Sequence, residues 1–257
     1  MSKFTSTLTK LAVAAVAVSG FVSTSQASVR LSLTDVTASV SLTCDTAVAV
    51  SALNCDAASG FSILGGGTGI GFNATVGGFS VFTTTFASNI PGAASGATLD
   101  TSTTRVTRTG LGLGDLRIDL AGFNYSLPAG VLKSLHGSAS LSSSTGGGAG
   151  SLVYTEFMVN ALNAFPTAFA DPTLFCTIAP IPTSSANCDA GSTQWSDPLE
   201  GTFSMRQVAL IRLNQGTTVN TTGTQTVTSV PEPMTLSLVG AALLGVAAAA
   251  RRRSNKA

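Results

Sequence analysis

The segment Gly114-Asp115-Leu116-Arg117-Ile118-Asp119-Leu120 decides the fold class, because its apolar and charged residues alternate one by one. A β-strand sends successive side chains to opposite faces, so the leucines and the isoleucine share one face and the charges share the other. A helix would instead need apolar residues three and four positions apart. The segment therefore predicts a strand with one buried and one solvated face.

Similar β-rich runs recur on both sides of this segment. The other predicted strands are Val29 to Val36, Val40 to Cys44, Phe79 to Phe86, Arg105 to Thr109, Leu132 to Leu141, Leu152 to Val159, Phe203 to Leu213 and Thr217 to Val227. Runs rich in glycine and serine, Gly65 to Gly69 and Ser142 to Gly148, predict turns or loops between strands. Glu156 to Ala164 is the best candidate for one short helix. This pattern predicts an all-β fold, a single jelly-roll-like β-sandwich over residues 28–229.

The composition excludes some classes of function. Charged residues make up 10% of the 257 residues, against about 25% in an average soluble domain. The formal net charge is +1, and the residues between the two ends carry more acidic than basic side chains. A nucleic-acid partner is therefore not expected, since no broad basic surface is available to neutralise phosphates.

The N-terminus has the three parts of a secretory signal peptide. Lys3 and Lys10 supply positive charge, Leu11 to Val18 is apolar, and Ser25-Gln26-Ala27 places small residues at a cleavage site. The apolar run is too short to span a bilayer of about 30 Å. Residues 1–27 are therefore predicted to form a helical signal peptide. Cleavage is expected after Ala27.

The C-terminus predicts a membrane anchor. Met234 to Ala250 contains no charged residue and, as a helix of about 1.5 Å per residue, would be just long enough to cross a bilayer. Arg251, Arg252 and Arg253 follow at once, and a basic cluster of this kind stops transfer and stays on the cytoplasmic side. Before the helix, Pro231-Glu232-Pro233 holds the backbone extended and removes two hydrogen-bond donors that a sheet would need.

This three-part tail, residues 230–257, resembles the PEP-CTERM sorting signal. Pro231-Glu232-Pro233 matches the motif, residues 234–250 match the transmembrane stretch, and Arg251 to Arg253 match the basic end. The resemblance implies a substrate of a membrane-embedded exosortase in a Gram-negative bacterium that makes extracellular polysaccharide. It implies an exported chain, held at the inner membrane as a precursor and then found in the envelope, on the cell surface or in the extracellular matrix. It implies nothing about the activity of the sandwich.

The four cysteines predict two structural disulfides. An even number of cysteines in an exported chain favours disulfide formation. Of the three possible connectivities, Cys44–Cys55 with Cys176–Cys188 is favoured, because the shortest loops lose the least entropy on closure. A metal site is the alternative, but no CxxC and no neighbouring histidine supports one.

Catalytic signals are weak throughout the sequence. His136 is the only histidine, and no Gly-x-Ser-x-Gly motif accompanies it. Asp115 and Asp119 share a strand face, but four residues of strand separate them by about 13 Å, whereas paired glycosidase carboxylates lie at most about 9.5 Å apart. They are better explained as a solvated face with Arg117 as the counter-charge. No catalytic residue is therefore predicted.

Two binding sites are considered. Asp189, Asp197 and Glu200 are where a structural calcium ion would be sought, and no other cofactor or metal is expected. Trp195 lies among polar residues and is the candidate glycan contact, although a buried anchor for the sandwich is the stronger interpretation of an isolated aromatic. Tyr125 and Tyr154 are the remaining aromatic candidates for a sugar platform.

Three functions are consistent with these features of the sequence. The leading hypothesis is a non-enzymatic structural or adhesive protein of the envelope or polysaccharide matrix, whose partners are the secretion machinery, an exosortase, the inner membrane and extracellular polysaccharide. The first alternative is a secreted carbohydrate-binding module. The second is a secreted hydrolase, which would require two carboxylates, or His136 and a hydroxyl group, to converge in one cleft.

Overall fold

The computed structural model describes residues 28–46, 55–86, 92–93, 95–145, 151–166, 172–179, 181, 185–197, 201–230 and 238–246. Within these residues the strands are β1 Ser28–Asp35, β2 Val40–Asp45, β3 Phe61–Leu64, β4 Gly69–Val76, β5 Phe79–Phe86, β6 Ala97–Arg108, β7 Gly114–Tyr125, β8 Leu132–Thr145, β9 Leu152–Asn160, β10 Thr173–Ile178, β11 Ala186–Ser196, β12 Phe203–Leu213 and β13 Thr218–Ser229. Short 3-10 helices occupy Ala57–Ser59 and Gly65–Gly67, and a helix, α1, occupies 238–246.

The strands form two antiparallel sheets. The six-stranded sheet has the order β10-β9-β12-β7-β1-β2, and the seven-stranded sheet has the order β11-β8-β13-β6-β5-β4-β3. The predicted all-β class and the β-sandwich are confirmed. The jelly-roll connectivity stays a prediction, as do the limits of the signal peptide, the sandwich and the tail.

The core lies between the two sheets and follows the alternation seen in the sequence. Leu116, Ile118 and Leu120 are 0%, 3% and 1% exposed, whereas Asp115 and Arg117 point to the outer face. Apolar side chains of the seven-stranded sheet face them from the other side, and one hydrophobic cluster contains residues of both sheets.

Each disulfide joins an edge strand of one sheet to the matching edge of the other. Cys176 in β10 bonds Cys188 in β11, with 5.7 Å between the Cα atoms. On the opposite flank, Cys44 in β2 bonds Cys55, which precedes β3, with 4.7 Å between the Cα atoms. Both predicted pairings are present, and together they close the two flanks of the sandwich.

The structure corrects three local predictions. Glu156 to Ala164 is not a helix: its first half ends β9, whose backbone pairs with β10 and β12, and a turn follows in which Asn160 Oδ1 accepts from the amides of Leu162 and Ala164. The serine run from Ser142 is not a loop at its start, because β8 continues to Thr145 against β13. Strands β3, β4, β10 and β11 were not predicted.

The predicted terminal segments are described only in part. Helix α1 lies inside the predicted 234–250 span, and the rest of that span is outside the described residues. Across the portions of the chain that are described, no helix is both long enough and apolar enough to cross a bilayer. The signal peptide, Pro231-Glu232-Pro233 and Arg251 to Arg253 also lie outside the described residues.

Candidate ligand-binding face

The outer face of the seven-stranded sheet carries short polar side chains with one prominent aromatic ring. Phe82 in β5 lies directly between Asn73 in β4 and Arg105 in β6, and Arg105 is in turn paired with Asn220 in β13. Because alternate residues of a strand share a face, these four side chains form one row across four strands. The row presents an aromatic surface flanked by amide and guanidinium groups.

This row opens into a depression of about 440 Å³, which we call the Phe82 groove. It is lined by Asn73, Ser80, Phe82, Arg105 and Thr107. Phe82 is 45% exposed, although its neighbours Val81 and Thr83 are buried on the other face of the strand. An exposed ring beside several hydrogen-bonding groups can stack on an apolar ring face while its neighbours bond to hydroxyl groups.

A second depression of about 470 Å³ lies on the same outer face, and we call it the His136 groove. Its lining residues are His136, Ser138, Ala139, Ser140, Asn187, Cys188, Asp189, Thr222 and Thr224. His136 Nε2 lies 3.2 Å from Asp189 Oδ1, with the two side chains 47% and 70% exposed. Ser140 and Thr222 hydroxyls are 2.6 Å apart and lie on neighbouring strands.

The His136 groove brings a histidine, a carboxylate and hydroxyl groups together, which the hydrolase alternative requires. A nucleophilic hydroxyl must be hydrogen-bonded to the imidazole, and the carboxylate that orients the imidazole is normally buried. Among the described residues no hydroxyl makes a hydrogen bond to His136, and Asp189 is open to solvent. The groove therefore has the composition of a polar binding surface rather than the geometry of a triad.

Trp195 is buried rather than displayed, which corrects its assignment as a glycan contact. Its side chain belongs to the core, with 7% exposure, and its ring packs edge-on against Phe203 at 5.7 Å between centroids. The strand places Gln194 and Ser196 outward and Trp195 inward. Of the other two aromatic candidates, Tyr125 is fully buried and stacks on Phe203.

Tyr154 lies on β9 of the six-stranded sheet, and its hydroxyl group is hydrogen-bonded to a carboxylate. Its hydroxyl donates to Glu156 Oε1 at 2.9 Å. Partial burial and this hydrogen bond raise the pKa of Tyr154 to about 12. Tyr154 is only partly exposed and Tyr125 is buried, so Phe82 presents the most exposed ring of the three.

Asp115 and Asp119 are engaged in ion pairs on the outer face of the six-stranded sheet. Asp115 binds Arg212 of β12 through two hydrogen bonds of 2.6 and 2.9 Å, and this contact raises the pKa of Arg212. Asp119 accepts from Arg206 Nε at 2.8 Å and from Arg117 at 3.3 Å. The expected counter-charge from Arg117 is present, and β12 adds two further cations.

The proposed calcium ligands do not form a cluster. Asp197 is buried, and its carboxylate binds Lys133 Nζ at 2.6 Å, so it is not free for a metal ion. Asp189 is exposed in the His136 groove, and Glu200 lies outside the described residues. No group of three or more His, Cys, Asp or Glu residues suited to a metal ion occurs in the described part of the chain.

Sequence reasoning missed Phe82 and Arg105. The signal was present in the predicted strand Phe79 to Phe86, where Phe79 and Val81 alternate with Ser80 and Phe82. A phenylalanine in register with serine, on the polar side of an alternating strand, indicates an exposed ring.

Comparison with known proteins adds little to this geometry. No protein-family model matches the chain, and no curated protein matches its sequence. Among solved structures, the chain is similar to TmCBM61 in complex with β-1,4-galactotriose, with 11% identity, 60% of this chain and 83% of that chain covered, and a TM-score of 0.26. It is also similar to a carbohydrate-binding module of the β-sandwich superfamily, with 13% identity, 76% and 72% coverage, and a TM-score of 0.27. Likenesses this low define neither a ligand nor a family for this chain.

Proposed function

We propose that this protein is an exported, non-enzymatic component of the cell envelope or extracellular matrix, sorted by an exosortase through its PEP-CTERM tail. The observation that carries the proposal is the order of Pro231-Glu232-Pro233, an uncharged stretch and three arginines at the end of the chain. The two disulfides support export, because such bonds form and persist in oxidising compartments.

The position of β13 also supports a processing site at the motif. The strand ends at Ser229, and the Val230 amide makes a last hydrogen bond to the Leu132 carbonyl at 2.9 Å. Pro231 and Pro233 follow in the sequence and have no backbone N–H to donate to a sheet. Cleavage near the motif would therefore leave every described strand of the sandwich intact.

Alanine replacement of the motif tests the sorting proposal. In an exosortase-bearing host, the triple variant Pro231→Ala, Glu232→Ala, Pro233→Ala should be exported and folded but keep its tail, whereas the parent chain should lose it. Intact-mass analysis of the recovered protein distinguishes the two forms. The matched control Ser254→Ala with Asn255→Ala, beyond the arginines, should be processed like the parent. Identical tail removal in parent and motif variant, or none in the parent, would refute the proposal.

A carbohydrate-binding role is the second candidate, and the Phe82 groove favours it. The exposed ring of Phe82, with Asn73 and Arg105 on either side, offers both a stacking surface and hydrogen-bonding groups on a broad sheet face. Extracellular polysaccharide is the ligand class that such a surface fits, since a pyranose ring has an apolar face and a hydroxyl-bearing rim.

Affinity electrophoresis of the full chain in gels containing the host's extracellular polysaccharide tests this role. Phe82→Ala should weaken retardation about tenfold, corresponding to about 1.4 kcal/mol. Phe175→Ala is the matched control, because Phe175 is also an exposed phenylalanine, at 64%, but lies on β10 of the other sheet. Equal retardation of parent and Phe82→Ala would exclude the groove as the polysaccharide site.

A further inference from the structure

A lysine and an aspartate meet inside the sandwich where β8 begins and β11 ends. Lys133 is the cross-strand partner of Trp195, and Asp197 follows two residues later on the same inner face. The Asp197 amide donates to the Val131 carbonyl at 2.7 Å, which fixes the backbone just beyond the strand. Lys133 and Asp197 are therefore diagonal neighbours across one strand pair, within reach of each other's side chains.

The two side chains are in direct contact and shielded from solvent. Lys133 Nζ lies 2.6 Å from Asp197 Oδ2, with the side chains 2% and 1% exposed. Nζ also lies 5.2 Å from the centroid of the Trp195 ring and 5.5 Å from that of Phe203. An amine and a carboxyl group thus share an aromatic enclosure.

This enclosure holds the two groups in contact and away from water. Removing an ammonium and a carboxylate from water costs several kcal/mol per ion, and their attraction repays that cost only partly. Passing one proton from the ammonium to the carboxylate gives a neutral amine beside a neutral acid. Holding two groups in contact lowers the barrier to their reaction, because the entropy of bringing them together is already lost; in well-oriented cases the effective molarity reaches about 10⁵ M or more.

We propose that Lys133 and Asp197 become joined by an intramolecular amide bond. After the proton transfer, the Nζ lone pair attacks Asp197 Cγ and forms the C–N bond. The C–OH bond then breaks, and the hydroxyl leaves with a proton from Nζ as one molecule of water. No oxidant or co-reactant is needed.

The Trp195 ring of this enclosure also carries a buried polar group. The Trp195 indole N–H is buried and has no hydrogen-bond acceptor within the described residues. Once the released water has left this buried site, the reverse hydrolysis lacks its reactant.

The amide bond would give the edge strand β11 a second covalent attachment, at the end of the strand that is far from Cys188. Cys188 already ties β11 to the six-stranded sheet near the start of the strand, and the amide would tie its far end to β8. This modification site does not depend on the sorting or polysaccharide proposals, because it concerns only the interior of the sandwich.

A tryptic map of the reduced, denatured full chain tests the proposal. Lys133 is the only Lys or Arg between Arg117 and Arg206, so trypsin should release 118–133 and 134–206 from an unlinked chain. An amide on Nζ blocks cleavage after Lys133. A linked chain should therefore yield one peptide, 118–206, lighter than its sequence mass by one water.

Two variants make the test specific. Lys133→Met should restore the full sequence mass of the 118–206 peptide, whereas Asp189→Asn, which changes an exposed acid of the same strand, should leave the missing water in place. Recovery of the separate 118–133 and 134–206 peptides from the folded parent protein would overturn the proposal. Loss of water mapped to other residues, with Lys133 free to react with an amine reagent after denaturation, would overturn it as well.

Discussion

At the scale of single residues, Gly137 shows how closely the sheets approach near the Cys176–Cys188 flank. It lies on the inner face of β8, opposite the fully buried ring of Phe157 in β9. A Cβ atom at this position would lie 2.4 Å from Phe157 Cδ2 and 2.5 Å from Cγ. Any side chain would therefore require the ring or the sheet to move.

Gly137→Ala should lower the free energy of unfolding by about 1–3 kcal/mol, the usual cost of overpacking a core. Urea denaturation followed by circular dichroism measures the change. The control is Gly201→Ala, whose added Cβ would meet no atom within 4 Å and whose stability should match or slightly exceed that of the parent. A shared denaturation midpoint for parent and Gly137→Ala would contradict the tight contact.

The same scale shows why Trp195 was misplaced as a glycan contact and Phe82 was missed. Gln194 and Ser196 made the surroundings of Trp195 look solvated, but neighbours in a strand point to the opposite face. Polar neighbours on both sides therefore indicate burial in a half-buried strand. Residues two positions away share a face, so Ser80 and Thr84 would have identified Phe82 as exposed. The same rule fails for Trp195, because Asp197 is polar but buried in an ion pair with Lys133.

At the scale of elements, the Cys176–Cys188 disulfide holds two edge strands, each of which pairs with only one neighbour in its sheet. Strand β11 has mostly exposed or half-buried residues, and β10 is six residues long. Their sequences lack strong alternation, so neither strand was predicted. These strands are therefore stabilised by the Cys176–Cys188 bond and by backbone pairing with β8 and β9, rather than by the strand propensity of their own sequences.

Removing this disulfide with Cys176→Ala and Cys188→Ala should reduce stability by about 2–3 kcal/mol, because a loop of about a dozen residues is released in the unfolded chain. In a protein of this size the melting temperature should fall by roughly 4–12 °C. Differential scanning calorimetry of oxidised protein measures the shift. Parent protein treated with reductant, which opens both bonds, should melt lower still. An unchanged melting temperature in the double variant would show that the flank is stable without the bond.

At the scale of the whole molecule, the sequence predicted a sandwich but not the order of its strands. Alternation within a segment reports which face is buried, and this information is local. Pairing of β1 with β7, or of β13 with β6, joins segments that are far apart in the chain. Such partners depend on the shape and register of the completed core, which no single segment encodes.

The central position of β13 governs the order in which the molecule can be completed. Among the described strands β13 is the last in the sequence, yet it lies between β8 and β6 in the middle of its sheet. Until residue 229 has emerged, the sheet consists of two separate pieces, β11-β8 and β6-β5-β4-β3, with open backbone edges at β8 and β6. The unpaired backbone N–H and C=O groups of such an edge can form hydrogen bonds with a strand of another chain. Insertion of β13 between β8 and β6 removes both open edges in one step, so this sheet is protected from such pairing only after its last strand is in place.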